Sequence, residues 1–148
     1  MGKTIYIAYG SNMNLEQMAH RCRTAKVLGN VKLNGYKLLF RGNGGGAVAT
    51  IEKEKGASVP VVVWELEPAD EAALDRYEGY PTFYRKEMVK IRFGGKWQEV
   101  MVYIMNAGRP LGVPSRYYYE IILEGYKTAG FDTGILNKAV RVSAGKEQ

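Results

Sequence analysis

The feature of this sequence that most constrains its fold is a Gly-Gly pair at 94–95, which separates two strand-like segments, 84–93 and 96–105. Glycines in a two-residue loop favour a β-hairpin, because the tight turn requires backbone angles that other residues rarely adopt. Pairing about this loop places Lys90 opposite Glu99, so opposite charges face each other across the strands. The segment therefore predicts two long antiparallel strands.

Further strand-like segments occur on both sides of this hairpin. They cover 4–9, 26–33, 36–41, 47–52 and 59–66, and a last short strand is predicted at 137–142. Asn34-Gly35 predicts a second tight hairpin, between the second and third of these segments. The glycine-rich run 42–46 predicts a loop.

Helices are predicted between the strands, beginning at residue types that favour a first turn. These residues are Asn14, Pro68 and Ser115. Gly79 and Gly130 follow the second and third helices and suit the left-handed conformation that ends a helix. The alternation of strands and helices is too irregular for a doubly wound sheet. We therefore predict an α+β fold in which the strands curl into a small barrel.

The composition limits the chemistry available to the chain. With 148 residues it can bury a core, and it is predicted to form one domain over 1–148. A single cysteine, Cys22, and a single histidine, His20, exclude an internal disulfide and zinc sites built from three histidines or four cysteines. The run 42–47 loosely matches a dinucleotide-binding pattern, but it leads into a strand instead of the required helix. We therefore expect neither these zinc sites nor a dinucleotide cofactor.

Charge and hydropathy argue against two classes of partner. The formal net charge is +6, but lysine and arginine occur singly or in pairs, so no nucleic-acid partner is predicted. No apolar run approaches the roughly 20 residues of a membrane helix, and the polar start of the chain does not resemble a signal peptide. We therefore expect a soluble, cytoplasmic protein with a small-molecule partner, while the oligomeric state stays open.

The first candidate site is the turn Tyr9-Gly10-Ser11-Asn12, between the first strand and the first helix. Such a turn can leave several backbone N–H groups unpaired and pointing the same way, next to the positive end of the helix dipole. It can therefore bind a carboxylate or an oxyanion. The alternative is an ordinary polar turn in which Ser11 or Asn12 caps the helix.

The second candidate is Glu78, which is predicted at the C-terminal end of its helix. The negative end of the helix dipole disfavours a carboxylate there, and Asp75 lies close enough to repel it. Nearby aromatic residues, among them Tyr84, provide apolar surface. These effects raise the pKa of Glu78, as suits a general acid/base near neutral pH. The alternative is a solvated glutamate with an ordinary pKa.

Three motifs, found in order along the chain, resemble the gamma-glutamylcyclotransferase-like family. They are Tyr9–Asn12, the run Leu74–Pro81 with Tyr84 after it, and Pro114–Tyr118 before a helix that ends in Glu124-Gly125. The resemblance implies a small mixed β-barrel of about six strands with flanking helices. It also implies a pocket with the first motif on one side and Glu78 on the other.

The resemblance further implies a reaction that releases 5-oxoproline from a gamma-glutamyl amide, by attack of the substrate's own α-amine on its γ-carbonyl. No metal, cofactor or enzyme nucleophile is required. Glu78 would be the catalytic acid/base, and Tyr9, Gly10, Ser11 and Asn12 would bind substrate. Tyr84 and Tyr118 match family tyrosines that could donate hydrogen bonds, although both could instead fill the aromatic core. Two rival functions are a non-catalytic module that binds a gamma-glutamyl or amino-acid ligand, and a basic nucleic-acid binder.

Overall fold

The computed structural model describes residues 2–146, in which strands and helices are interleaved. The strands are β1 (Thr4–Ala8), β2 (Lys26–Arg41), β3 (Val48–Leu66), β4 (Tyr84–Phe93) and β5 (Lys96–Met105). The helices are α1 (Leu15–Arg21), α2 (Pro68–Glu78), α3 (Arg116–Ala129) and α4 (Thr133–Ser143). None of the helices within this part of the chain combines the length and apolarity needed to cross a membrane.

The strands form one mixed sheet in the order β2-β3-β1-β5-β4. The short strand β1 lies at its centre, antiparallel to β3 and parallel to β5. The predicted hairpin is confirmed, with Lys90 opposite Glu99 and Val89 opposite Val100. Because β1 ends in the middle of the sheet, the turn that follows it is surrounded by other elements.

The α+β class is confirmed, but the sheet is not closed into a barrel. Within residues 2–146 it has five strands, with β2 and β4 at its edges, where about six were expected. The two edges approach each other where the Phe93 ring covers Gly29, since a Cβ at Gly29 would lie 3.1 Å from Phe93 Cε1. "Barrel" therefore describes the curvature of the sheet only loosely.

Asn34-Gly35 does not form the predicted hairpin. β2 continues through these residues and pairs on both sides of them with β3, with a register shift between Asn34 and Tyr36. Gly35 adopts a φ of 85° at this irregularity, where the single residue of β2 between Asn34 and Tyr36 lies opposite residues 54–57 of β3. The predicted strands 26–33 and 36–41 are thus one strand, and 47–52 and 59–66 are its partner.

The last predicted strand, 137–142, is wrong, because this segment lies in helix α4. The side chain of Asp132 caps the helix by accepting a hydrogen bond of 2.9 Å from the Gly134 N–H. Leu136, Ala139 and Ser143 form its buried face at helical spacing. Tertiary packing of this face therefore overrides the strand-like pattern of Val140 and Val142.

The other helix boundaries agree with the expected signals. The Asn14 and Ser115 side chains cap α1 and α3, and Pro68 opens α2. Gly79 and Gly130 take up left-handed backbone conformations with φ of 67° and 79°. α3 therefore continues beyond Glu124-Gly125, where the resembling motif was expected to end its helix. The positions of Glu78 and of the first turn of α3 therefore follow directly from local sequence.

Candidate active site

A cavity of about 490 Å³ opens where β1, β3, β4, β5, α2 and α3 meet. All seven residues predicted from the sequence line it: Tyr9, Gly10, Ser11, Asn12, Glu78, Tyr84 and Tyr118. The structure thus brings together residues that are separated by more than one hundred positions in the chain.

One wall of the cavity is the turn that follows β1. Ser11–Met13 form a single 3₁₀ turn, closed by hydrogen bonds of 3.0 Å from the Met13 N–H to the Gly10 carbonyl and from the Asn14 N–H to the Ser11 carbonyl. A Cβ at Gly10 would lie 3.2 Å from Ala49 Cβ, so glycine allows β3 to pack closely behind the turn. The N–H groups of Ser11 and Asn12 belong to the first turn, which has no acceptors of its own for them.

Glu78 faces this turn from the end of α2. The Asn12 side-chain amide donates a hydrogen bond of 3.1 Å to Glu78 Oε2. Burial raises the pKa of Glu78 to about 7, although the positive charge of Arg21 and the hydrogen bond from Asn12 both act to lower it. The carboxyl is therefore able to exchange a proton near neutral pH.

The cause of this shift differs in part from the sequence-based argument. Asp75, expected to repel Glu78, accepts a hydrogen bond of 2.6 Å from the Tyr103 hydroxyl and forms an ion pair of 3.0 Å with Lys86. Its negative charge is thus compensated locally, and desolvation is the largest effect on Glu78.

Asn12 is the centre of a hydrogen-bond network beneath the cavity. Its amide nitrogen also donates a hydrogen bond of 2.9 Å to the Tyr6 hydroxyl, and its backbone carbonyl accepts a hydrogen bond of 3.1 Å from the Trp64 indole N–H. Its side-chain oxygen accepts a hydrogen bond of 2.6 Å from Arg21. The side chain is buried, so these contacts fix its orientation.

Tyr84 and Tyr118 both bind the backbone of Ala49, but in opposite senses. The Tyr84 hydroxyl donates a hydrogen bond of 2.6 Å to the Ala49 carbonyl, whereas the Tyr118 hydroxyl accepts a hydrogen bond of 3.0 Å from the Ala49 N–H. Tyr118 therefore keeps its hydroxyl proton for another acceptor. The Tyr9 hydroxyl donates a hydrogen bond of 2.7 Å to the Tyr103 carbonyl. Tyr9 therefore contributes its ring to the cavity, but not its hydroxyl proton.

Sequence reasoning missed several residues of this site. Tyr6, Arg76 and Arg109 also line the cavity, and Arg21 supports it from α1. Tyr77, expected only as apolar surface near Glu78, lines it as well. Arg76 and Arg109 make no ion pair within residues 2–146. A weak signal existed for Arg21, because it follows Gln17 by one helical turn and binds it at 2.8 Å.

The described part of the chain contains no cluster of three or more histidine, cysteine, aspartate or glutamate side chains that could hold a metal ion.

Comparison with known proteins gives a consistent result. The sequence model of a family described as "Gamma-glutamyl cyclotransferase, AIG2-like" matches residues 6–120. A human gamma-glutamylcyclotransferase is 31% identical over 135 residues, which cover 85% of this chain and 71% of the human protein. The fold is similar to a solved gamma-glutamyl cyclotransferase, with a TM-score of 0.78, 29% identity and coverage of 93% of this chain and 86% of the other. A human protein described as uncharacterized has a TM-score of 0.82 at 29% identity, covering 94% and 87% of the two chains.

Proposed function

This chain belongs to the gamma-glutamyl cyclotransferase, AIG2-like family, and from that premise we propose that it is an enzyme that converts a gamma-glutamyl amide into 5-oxoproline and a free amine. The observation that carries the proposal is the position of Glu78. It lies in the cavity of about 490 Å³, opposite the turn that follows β1, with its pKa raised to about 7. Such a carboxyl suits proton transfer at neutral pH.

In the proposed reaction the substrate supplies both the nucleophile and the electrophile. Glu78 accepts a proton from the substrate α-ammonium group, and the resulting amine attacks the γ-carbonyl to form a five-membered ring. Glu78 then returns the proton to the departing nitrogen as its bond to the carbonyl carbon breaks. The ring nitrogen has already given one proton to Glu78, and it loses a second one as the lactam forms. The released amine takes up this second proton and becomes an ammonium ion.

The chain's own contribution is orientation and charge stabilisation. Holding the substrate in a folded conformation can contribute about 7–11 kcal/mol to an intramolecular attack. The backbone N–H groups of Gly10, Ser11 and Asn12 are proposed to bind the substrate carboxylate or the oxyanion that forms at the γ-carbonyl. Tyr118, whose hydroxyl proton is not used by Ala49, is the better candidate than Tyr84 to donate a hydrogen bond to the substrate.

The test is an assay of 5-oxoproline release from a panel of gamma-glutamyl amides, using the wild-type protein and Glu78→Gln. We expect Glu78→Gln to fold and to lose roughly 10²-fold or more in turnover, as is usual when a general acid/base is removed. Glu124→Gln, an exposed change on α3, is the matched control and should keep full activity.

Two outcomes would contradict the proposal in different ways. Equal turnover by Glu78→Gln and the wild type would remove Glu78 from the mechanism. Binding of 5-oxoproline or a gamma-glutamyl ligand without turnover by the wild type would favour the non-catalytic binding module. A cytoplasmic location, the absence of a nucleic-acid partner and a single domain over 1–148 stay predictions.

A further inference from the structure

Arg21, at the C-terminal end of α1, joins three side chains beneath the cavity. One terminal guanidinium nitrogen donates a hydrogen bond of 2.6 Å to Asn12 Oδ1. The second terminal nitrogen donates hydrogen bonds of 2.8 Å to the Tyr77 hydroxyl and of 2.8 Å to Gln17 Oε1. The guanidinium also lies 3.7 Å from the centre of the Tyr77 ring. Both ends of this planar group are therefore held in place.

These contacts decide which end of the Asn12 amide faces Glu78. A guanidinium can only donate hydrogen bonds, so the atom of Asn12 that it contacts must be the oxygen. The amide nitrogen is then left to donate to the Tyr6 hydroxyl at 2.9 Å and to Glu78 Oε2 at 3.1 Å. Arg21 thus disfavours the rotated amide, in which the oxygen would face the Glu78 carboxylate and the two acceptors would repel each other.

We propose that Arg21 is a positioning residue of the active site: it holds the Asn12 amide so that its NH₂ group faces Glu78 and stabilises the ionised carboxylate that accepts the substrate proton. This inference rests on the proposed function. Arg21 has no contact with Glu78 within hydrogen-bond distance, so it acts through Asn12 and through its charge. The effect on Glu78 has the expected sign, since Arg21 and Asn12 each lower its pKa against the rise caused by burial.

The other groups near Glu78 do not replace Arg21 in this role. The tyrosines that interact electrostatically with Glu78 come from β1 and its following turn, β4, β5 and α3, and they are Tyr6, Tyr9, Tyr84, Tyr103 and Tyr118. Their pKa values are all raised, so they stay neutral near pH 7. On α2, Asp75 is paired with Lys86, while Arg76 lines the cavity together with Arg109 and without contact to Asn12.

Lysine is not expected to substitute fully for Arg21. A lysine ammonium group is a point charge on a flexible chain and lacks the planar fork that spans Asn12 and Tyr77. Tyr77 matters in turn because its hydroxyl lies 3.2 Å from Ser11 Oγ, so the same fork also supports the turn that follows β1. Arg21→Lys therefore separates the charge of Arg21 from its geometry.

The experiment compares the wild type with Arg21→Gln, Arg21→Lys and the control Arg23→Gln, an exposed arginine two residues away. Titration of the ¹³C-labelled Glu78 carboxyl by NMR, without substrate, measures its pKa in each protein. We expect the pKa to rise in Arg21→Gln, to rise less in Arg21→Lys and to be unchanged in Arg23→Gln. In the 5-oxoproline assay, Arg21→Gln should lower kcat by roughly tenfold or more with little change in KM, as for a residue that supports the reacting group and not substrate binding.

An unchanged Glu78 titration in folded Arg21→Gln, or an equal shift in Arg23→Gln, would overturn the role of Arg21. If Arg21→Gln does not fold, Arg21→Lys decides: a titration and a kcat equal to those of the wild type would overturn the role of the fork. The NMR titration needs no turnover. A wild-type protein that is inactive on every gamma-glutamyl amide would therefore reject the proposed function while the titration still tests the link between Arg21 and Glu78.

Discussion

The stability of Glu78→Gln relative to that of the wild type should increase as the pH rises. The ordinary pKa of a glutamate is 4.5, and burial in the folded protein raises that of Glu78 to about 7. A raised pKa means that the folded state favours the protonated carboxyl. The stabilisation from this preference is complete below the unfolded value and is lost as the pH rises through the folded value.

The size of the effect follows from the two pKa values. One pH unit of difference corresponds to about 1.36 kcal/mol, so ionising Glu78 costs the folded state up to about 3 kcal/mol more than it costs the unfolded chain. Between about pH 5 and about pH 8.5, the wild type should lose roughly 2.5 kcal/mol of stability from this group alone. Glutamine does not titrate, so Glu78→Gln should not show this loss.

Urea unfolding of the wild type, Glu78→Gln and Glu124→Gln across this pH range measures the effect. The quantity to compare is the difference in free energy of unfolding between variant and wild type, because the titration of all other groups cancels in it. A constant effect of the amide on the hydrogen bond from Asn12 shifts this difference by the same amount at every pH and leaves its change with pH unaffected. A difference that does not change with pH for Glu78→Gln would refute the conclusion that burial controls the pKa of Glu78.

Two further variants test the packing that forms the cavity. Tyr118→Phe removes the acceptor of the buried Ala49 N–H and should lower the free energy of unfolding by about 1–3 kcal/mol, measured in urea; unchanged stability would show that this N–H finds another acceptor. Gly125→Ala should cost about 1–3 kcal/mol and reduce turnover, whereas Glu124→Ala on the same helix should do neither. The reason is that a Cβ at Gly125 would lie 3.0 Å from Met13 Cβ and would push α3 away from the turn after β1; full activity and stability of Gly125→Ala would contradict this account.

The parts of the site that could be predicted are those set by local sequence. Gly79 ends α2 directly after Glu78, and Ser115 starts α3 three residues before Tyr118, so the two helix boundaries fix where these side chains project. Gly10 marks the end of β1 in the same way. Each signal acts over a few residues and is therefore visible without the tertiary structure.

The errors arise where a local signal is compatible with two structures. A glycine with positive φ occurs in a tight turn or at an irregularity within a strand, and only the pairing of β2 with β3 on both sides of Gly35 selects the second. Segment 137–142 alternates like a strand, yet it packs through one face of a helix. At the end of this face, Ser143 Oγ accepts a hydrogen bond of 2.9 Å from the Phe40 N–H. Arg21 was missed because its partners Asn12 and Tyr77 converge on it only in three dimensions.

The cavity limits the pH response of the proposed reaction to few groups. Among the described residues that line it, Glu78 is the single carboxyl, and its pKa is about 7. Burial raises the pKa values of Tyr84 and Tyr118 and keeps both hydroxyls neutral. The pKa of Glu78 is therefore a balance between desolvation by the tyrosine-lined walls and stabilisation by Asn12 and Arg21. These opposing effects come from different elements. A substitution that admits water through the tyrosine-lined walls should therefore lower the pKa of Glu78, whereas removal of the Arg21 charge should raise it, so the two should move the pH dependence of turnover in opposite directions.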